Sequence, residues 1–107
     1  MDARPKEIRI YEDEEGRAPF SEWMDRQEAP LYGRVMARLE RVELGNLGDH
    51  RGVGDGVFEL RIDFGPGYRV YFGVDGSELV VLLIGGTKKT QRRDIETAKQ
   101  YWRNYNA

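Results

Sequence analysis

The chain has 107 residues, 34% of them charged and 11% aromatic, no cysteine, and a formal charge of −2 at pH 7. That length suits one domain, expected to span residues 1–107, and the absence of cysteine excludes disulfides, thiol nucleophiles and thiolate metal sites. No apolar run reaches the ~18 residues of a membrane helix and the N-terminal stretch Met1-Asp2-Ala3-Arg4-Pro5 lacks a signal-peptide core, so a cytoplasmic protein away from membranes is expected.

Ile8-Arg9-Ile10-Tyr11 alternates as a half-buried strand does, and the acidic run Glu12–Glu15 with Gly16 reads as a solvated loop. Pro19 suits a helix first turn, and Phe20, Trp23, Met24 and Gln27 follow at helical spacing. A second helix is predicted from about Pro30, with Leu31, Val35, Leu39 and Val42 on one stripe and Met36 beside it. Gly45 is its expected stop.

Five glycines between Gly45 and Gly56 read as a loop. Gly52-x-Gly54-x-Gly56 is no dinucleotide fingerprint, because a strand follows it. The single histidine, His50, reads as a local hydrogen-bonding residue. One histidine without cysteine does not build a usual zinc site.

Val57 to Phe64 alternates cleanly, with Phe58, Leu60, Ile62 and Phe64 on one face and Glu59, Arg61 and Asp63 on the other. After a three-residue turn at Gly65-Pro66-Gly67, Tyr68, Val70, Phe72 and Val74 share a face opposite Arg69 and Tyr71. That turn length would set Phe64 opposite Tyr68, Asp63 opposite Arg69 and Arg61 opposite Tyr71. Asp75-Gly76 marks another turn. The apolar run to Ile84 reads as a central strand covered on both sides, ended by Gly85-Gly86. A final helix follows, capped near Thr90, with Ile95, Ala98, Trp102 and Tyr105 on its stripe. The order is β-α-α-β-β-β-α, an α+β fold with a mainly antiparallel sheet packed against helices.

Charge is uneven along the chain. Residues 1–50 carry 8 basic and 12 acidic side chains, residues 51–107 carry 9 and 7. The densest basic stretch is Thr87-Lys88-Lys89-Thr90-Gln91-Arg92-Arg93. Arg61, Arg69 and Tyr71 share the polar sheet face, and Lys88 and Lys89 follow the neighbouring strand. Guanidinium groups fork onto phosphate oxygens and stay charged at every working pH, so these residues describe a phosphodiester site. The same residues also fit an ordinary surface, with Asp63–Arg69 as a cross-strand ion pair and Arg61 paired with Glu59. No Ser–His–Asp set or catalytic carboxylate pair is visible.

Three ordered motifs carry a resemblance. Gly56-Val57-Phe58-Glu59-Leu60-Arg61-Ile62, Gly65-Pro66-Gly67-Tyr68-Arg69-Val70-Tyr71, and Leu82-Leu83-Ile84-Gly85-Gly86-x-Lys88-Lys89-x-Gln91-x-x-Asp94-Ile95-x-x-Ala98 together resemble the RelE/ParE superfamily of toxins, best its HigB-like branch. The similarity runs from the first strand to the last helix. It implies a RelE-like fold and the toxin of a type II toxin–antitoxin system, a metal-independent, cofactor-free endoribonuclease that cuts mRNA on the ribosome. By that resemblance Arg61, Arg69 and Lys88 are the catalytic cations; Tyr71, placed to stack on a base or hydrogen-bond, and Lys89, Gln91 and Arg92 are the expected RNA contacts.

Two departures stand out. Glu59 occupies a position where RelE has a strand lysine, and Ile95 one where RelE has a tyrosine. The acid/base role is thereby left open among Tyr71, Lys89, Gln91 and His50. The implied partners are a helix-turn-helix antitoxin, mRNA with the ribosome, and operator DNA only through the antitoxin. A ParE-like, non-enzymatic gyrase inhibitor and an inactive relative are the alternatives.

Overall fold

Prolines in the first turns start both early helices. A computed structural model describes residues 4–107, so Met1–Ala3 of the stretch read for a signal peptide lie outside it. Helix α1 spans Pro19–Asp25 and buries Phe20, Trp23 and Met24. Helix α2 spans Ala29–Glu43 and buries the stripe Leu31, Val35, Leu39 and Val42. It stops where Gly45 takes φ 95°, a left-handed conformation that costs other residues a steric clash, and Asn46 N–H closes onto Arg41 O at 2.8 Å.

The strands are β1 Glu7–Ile10, β2 His50–Gly54, β3 Val57–Ile62, β4 Tyr68–Asp75 and β5 Leu79–Thr87. A short 3-10 turn, Lys88–Thr90, leads into α3, Gln91–Tyr105. The five strands form one mixed sheet in the order β1-β5-β4-β3-β2. β1 runs parallel to β5 and every other pairing is antiparallel. The α+β class and the RelE-like arrangement hold, with one strand more than expected.

That extra strand is β2, inside the segment read as a loop. Asp55 at φ 56° and Gly56 at φ 81° turn the chain, so that Gly54 meets Val57 and Arg51 meets Glu59. Asp-Gly is a strong two-residue hairpin signal.

The β3–β4 register also differs from expectation. β3 ends at Ile62, and a five-residue loop follows, closed by Gly67 N–H to Phe64 O at 3.0 Å. Ile62 therefore faces Tyr68, Arg61 faces Arg69 and Glu59 faces Tyr71. Gly85 and Gly86 do not end β5; they pair with Val70 and Arg69 inside the strand. Their missing side chains admit two neighbours, since a Cβ would lie 2.3 Å from the Trp23 ring at Gly85 and 1.8 Å from an Asp94 oxygen at Gly86.

Both sheet faces are covered. On one, Leu60, Ile62, Val70, Phe72, Val80 and Leu82 pack under α1 and α2. On the other, Val57, Tyr71, Val81 and Leu83 pack with Ala98 of α3. β5 is buried on both sides, as its continuous apolar run requires. The face read as polar is thus a second core along most of its length. Toward one end it carries Arg51 and Arg61, each about half exposed, and Arg69, which is largely covered.

Candidate functional site

Strand alternation puts Glu59 and Arg61 on the α3 face of β3, and the antiparallel register brings Arg69 and Tyr71 beside them. The centre of this group is Glu59, whose side chain is fully buried. Its Oε1 accepts from Arg51 Nε at 3.0 Å and Arg61 Nε at 3.3 Å. Its Oε2 accepts from Gln91 Nε2 at 2.8 Å and the Tyr71 hydroxyl at 3.2 Å. Arg69 Nε lies 3.4 Å from Oε2 as an ion pair, without hydrogen-bond alignment.

A buried carboxylate survives only if charge and donors compensate it. Burial alone pushes the Glu59 carboxyl upward; donors from Arg51, Gln91 and Arg61 outweigh it and hold the group below its ordinary value. Tyr71 moves the other way. Burial first, then the charge of Glu59, pushes its phenol well above 10.

The end of β3 is pinned from two sides. Arg61 N–H donates to Asp49 O at 2.9 Å. Arg38 of α2 donates to the Arg61 carbonyl and also to Leu47 O at 2.9 Å. Lys88 arrives through backbone contact: its N–H donates to Gly67 O at 3.1 Å, and a Cβ on Gly67 would sit 3.6 Å from Arg69 Nη1 and 3.8 Å from Lys88 Cβ. The 3-10 turn that carries Lys88 is held by a reciprocal Thr87–Thr90 capping box, and Thr90 donates on to Asp94 at 2.5 Å.

Arg61 and Arg69 line a cavity of about 230 Å³ with Asp49, Asp63, Gly67 and Tyr68. A second cavity of about 300 Å³, lined by Arg34, Arg38 and Arg41 of α2, adjoins it through Ile62 and Asp63. The two cavities together carry five arginines and two carboxylates, Asp49 and Asp63, and Asp49 lies 3.9 Å from Arg61 Nη1.

Arg61, Arg69 and Lys88 therefore gather at one end of the sheet. Tyr71 and Gln91 also reach the cluster, but from below. The Tyr71 ring is buried in the second core, so it offers no face for a base to stack on, which corrects that expectation. Lys89 and Arg92 lie apart, on a shallow surface with Arg93 and Glu96. Asp63 does not pair with Arg69, because the longer loop carries it past that register. His50 pairs opposite Leu60, on the face away from Arg51, and its Nδ1 is engaged with Gly48 O at 2.9 Å. Sequence reading missed Arg51 and the central part of Glu59. The Asp55-Gly56 hairpin signal was available to find the first. Among the described residues, no three His, Cys, Asp or Glu side chains are placed to hold a metal ion, and no helix is long and apolar enough to cross a membrane.

Comparison with known proteins covers most of this architecture. The family model described as Phage derived protein Gp49-like (DUF891) matches residues 22–103. An uncharacterized protein of Haemophilus influenzae (strain ATCC 51907 / DSM 11121 / KW20 / Rd) is 46% identical over 81 residues, 75% of this chain and 82% of that protein. The matched span holds α2, β2 to β5, all five partners of Glu59 and most of α3, and the chain belongs to the Gp49-like family of phage-derived proteins.

Proposed function

We propose that this chain is the toxin of a type II toxin–antitoxin system, an endoribonuclease that cuts mRNA on the ribosome without a metal cofactor. One observation supports it most: Arg61 and Arg69 stand directly opposite across β3 and β4, beside Lys88 and at the mouth of one cavity. In this reading the ribose 2′-oxygen attacks the adjacent phosphorus and the bond to the 5′-oxygen breaks. A 2′,3′-cyclic phosphate and a 5′-hydroxyl result, the proton leaving the 2′-oxygen and another reaching the 5′-oxygen. Arg61, Arg69 and Lys88 stabilise the charge that builds on the phosphoryl oxygens. The protein acts in the cytoplasm, is neutralised by a helix-turn-helix antitoxin, and reaches operator DNA through that partner.

The test is induced expression with mapping of transcript 5′ ends, the native chain beside Arg69→Ala. Arg69→Ala should lower cleavage about 10²–10³-fold and relieve growth arrest while the protein stays folded. Arrested cells with intact transcripts would overturn the reading. A ParE-like gyrase inhibitor is the second reading, favoured by one observation: Tyr71 and Gln91, two of the open acid/base candidates, spend their polar atoms on Glu59. Loss of supercoiling by purified gyrase, with translation unchanged, would select it.

A further inference from the structure

Three arginines from three adjacent strands turn the same atom toward one carboxylate. Arg51 on β2 and Arg61 on β3 donate Nε–H to Glu59, and Arg69 on β4 sets its Nε 3.4 Å from the same carboxylate as an ion pair. Nε lies at the stem side of a guanidinium, and the two terminal nitrogens form its outer edge. The Glu59 side chain has no exposure, whereas those of Arg51 and Arg61 are 47% and 41% exposed. Holding the stem side on a buried acceptor leaves the outer edge of Arg51 to solvent and that of Arg61 beside Asp49, whose Oδ1 lies 3.9 Å from Arg61 Nη1, while Arg69 is largely covered, 13% exposed at the cavity wall.

Resting on the reading of the chain as an RNA-cutting toxin, we infer that Glu59 is a positioning residue. It orders Arg51, Arg61 and Arg69 into one phosphate-binding row, and Arg51 is a fourth cation that takes a phosphate flanking the scissile one. The row crosses the sheet from its β2 edge to the Lys88 turn. An RNA backbone laid along it meets Arg51 first and the Arg61–Arg69 pair next. Free arginine side chains would sample many rotamers, and each would lose that freedom on binding. The shared carboxylate has already removed it.

The sign of one substitution separates positioning from simple charge balance. Glu59→Gln removes a negative charge from under three cations. If the carboxylate only offsets charge, RNA binding tightens. If it positions them, binding weakens although the site has become more positive.

The experiment uses the full chain, an uncleavable 2′-O-methyl RNA oligonucleotide, and the nitrogen-15 signals of the arginine Nε–H groups. Transcript mapping in cells runs in parallel. The oligonucleotide should shift the Nε–H signals of Arg51, Arg61 and Arg69. Arg51→Ala should weaken binding about tenfold and flatten the slope of log affinity against log salt by ~0.7, the value for one phosphate of a single strand. Glu59→Gln should weaken binding at least tenfold, and Glu59→Asp, which keeps the charge, should recover part of it. Glu59→Gln binding as tightly as the native chain or tighter, Arg51→Ala with unchanged affinity and slope, or a native chain whose Nε–H signals ignore the oligonucleotide would each overturn the inference. Should Glu59→Gln not fold, Glu59→Asp decides the positioning role, since native affinity in a variant whose shorter side chain draws the carboxylate away from the three arginines would overturn it. Oligonucleotide binding with shifted Nε–H signals but uncut transcripts would sink the nuclease reading and leave the row standing. Cut transcripts with Glu59→Gln fully active would do the reverse.

Discussion

Glu59 concentrates the electrostatics of the molecule in one side chain. Its folded carboxyl is held below the ordinary value of 4.5, so the unfolded chain takes up the proton first as pH falls. The stabilisation is complete above that ordinary value and fades as pH drops through the lower, folded one. The groups facing Glu59 are Arg51, Arg61, Arg69, Tyr71 and Gln91; its arginine partners hold their charge throughout this range. Removing one partner of a buried ion pair costs about 3–5 kcal/mol, and the low end applies where two partners are half in water. Glu59→Gln should therefore cost about 3 kcal/mol at pH 7, and the difference from the native chain should shrink in melts near pH 3. A difference independent of pH would show that packing, not charge, is what the carboxylate supplies.

Among the elements, β4 and β5 are shaped by glycines that make room for tryptophans. A Cβ on Gly85 would lie 2.3 Å from Trp23, and one on Gly73 2.4 Å from Trp102. Neither glycine needs a left-handed conformation, so the constraint is steric. Gly85→Ala and Gly73→Ala should each cost about 1–3 kcal/mol through overpacking. Gly33, within α2 and with nothing inside 4 Å of its would-be Cβ, should gain about 0.5–1 kcal/mol as alanine. Thermal melts of the three variants check both signs. The strands that alternate, β3 and β4, and the helices with apolar stripes were legible from residue order alone. β2 was not, because Gly52 and Gly54 interrupt its pattern and the Asp55-Gly56 turn was passed over among so many glycines. The convergence of Arg61, Arg69 and Lys88 could be anticipated from a family resemblance. The burial of Glu59 and Tyr71 could not, because local alternation says which residues share a face but not that α3 will lie across it.

At the scale of the whole molecule, a net charge of −2 conceals a division. Arginines of β2, β3, β4 and α2 gather on one side of the sheet order, while Glu12, Asp13, Glu14 and Glu15 line a cavity of about 510 Å³ beyond β1 and the end of α3. A local cationic rim steers a polyanion even when the total charge is slightly negative. Among the described strands β1 is hydrogen-bonded to β5 alone, and the two are parallel. They sit far apart in the chain, Glu7 opposite Leu79. A contact of such long range waits on the closure of a long loop, whereas the β2–β5 meander assembles from successive hairpins. β1 should then be the last strand to dock and the first to open. Native-state hydrogen exchange would reveal this as the amides of Glu7 and Tyr11, which donate to Glu78 O and Leu82 O, trading deuterium well before those at Val70 and Phe72, and equal protection across all five strands would mean that the sheet opens as one cooperative unit.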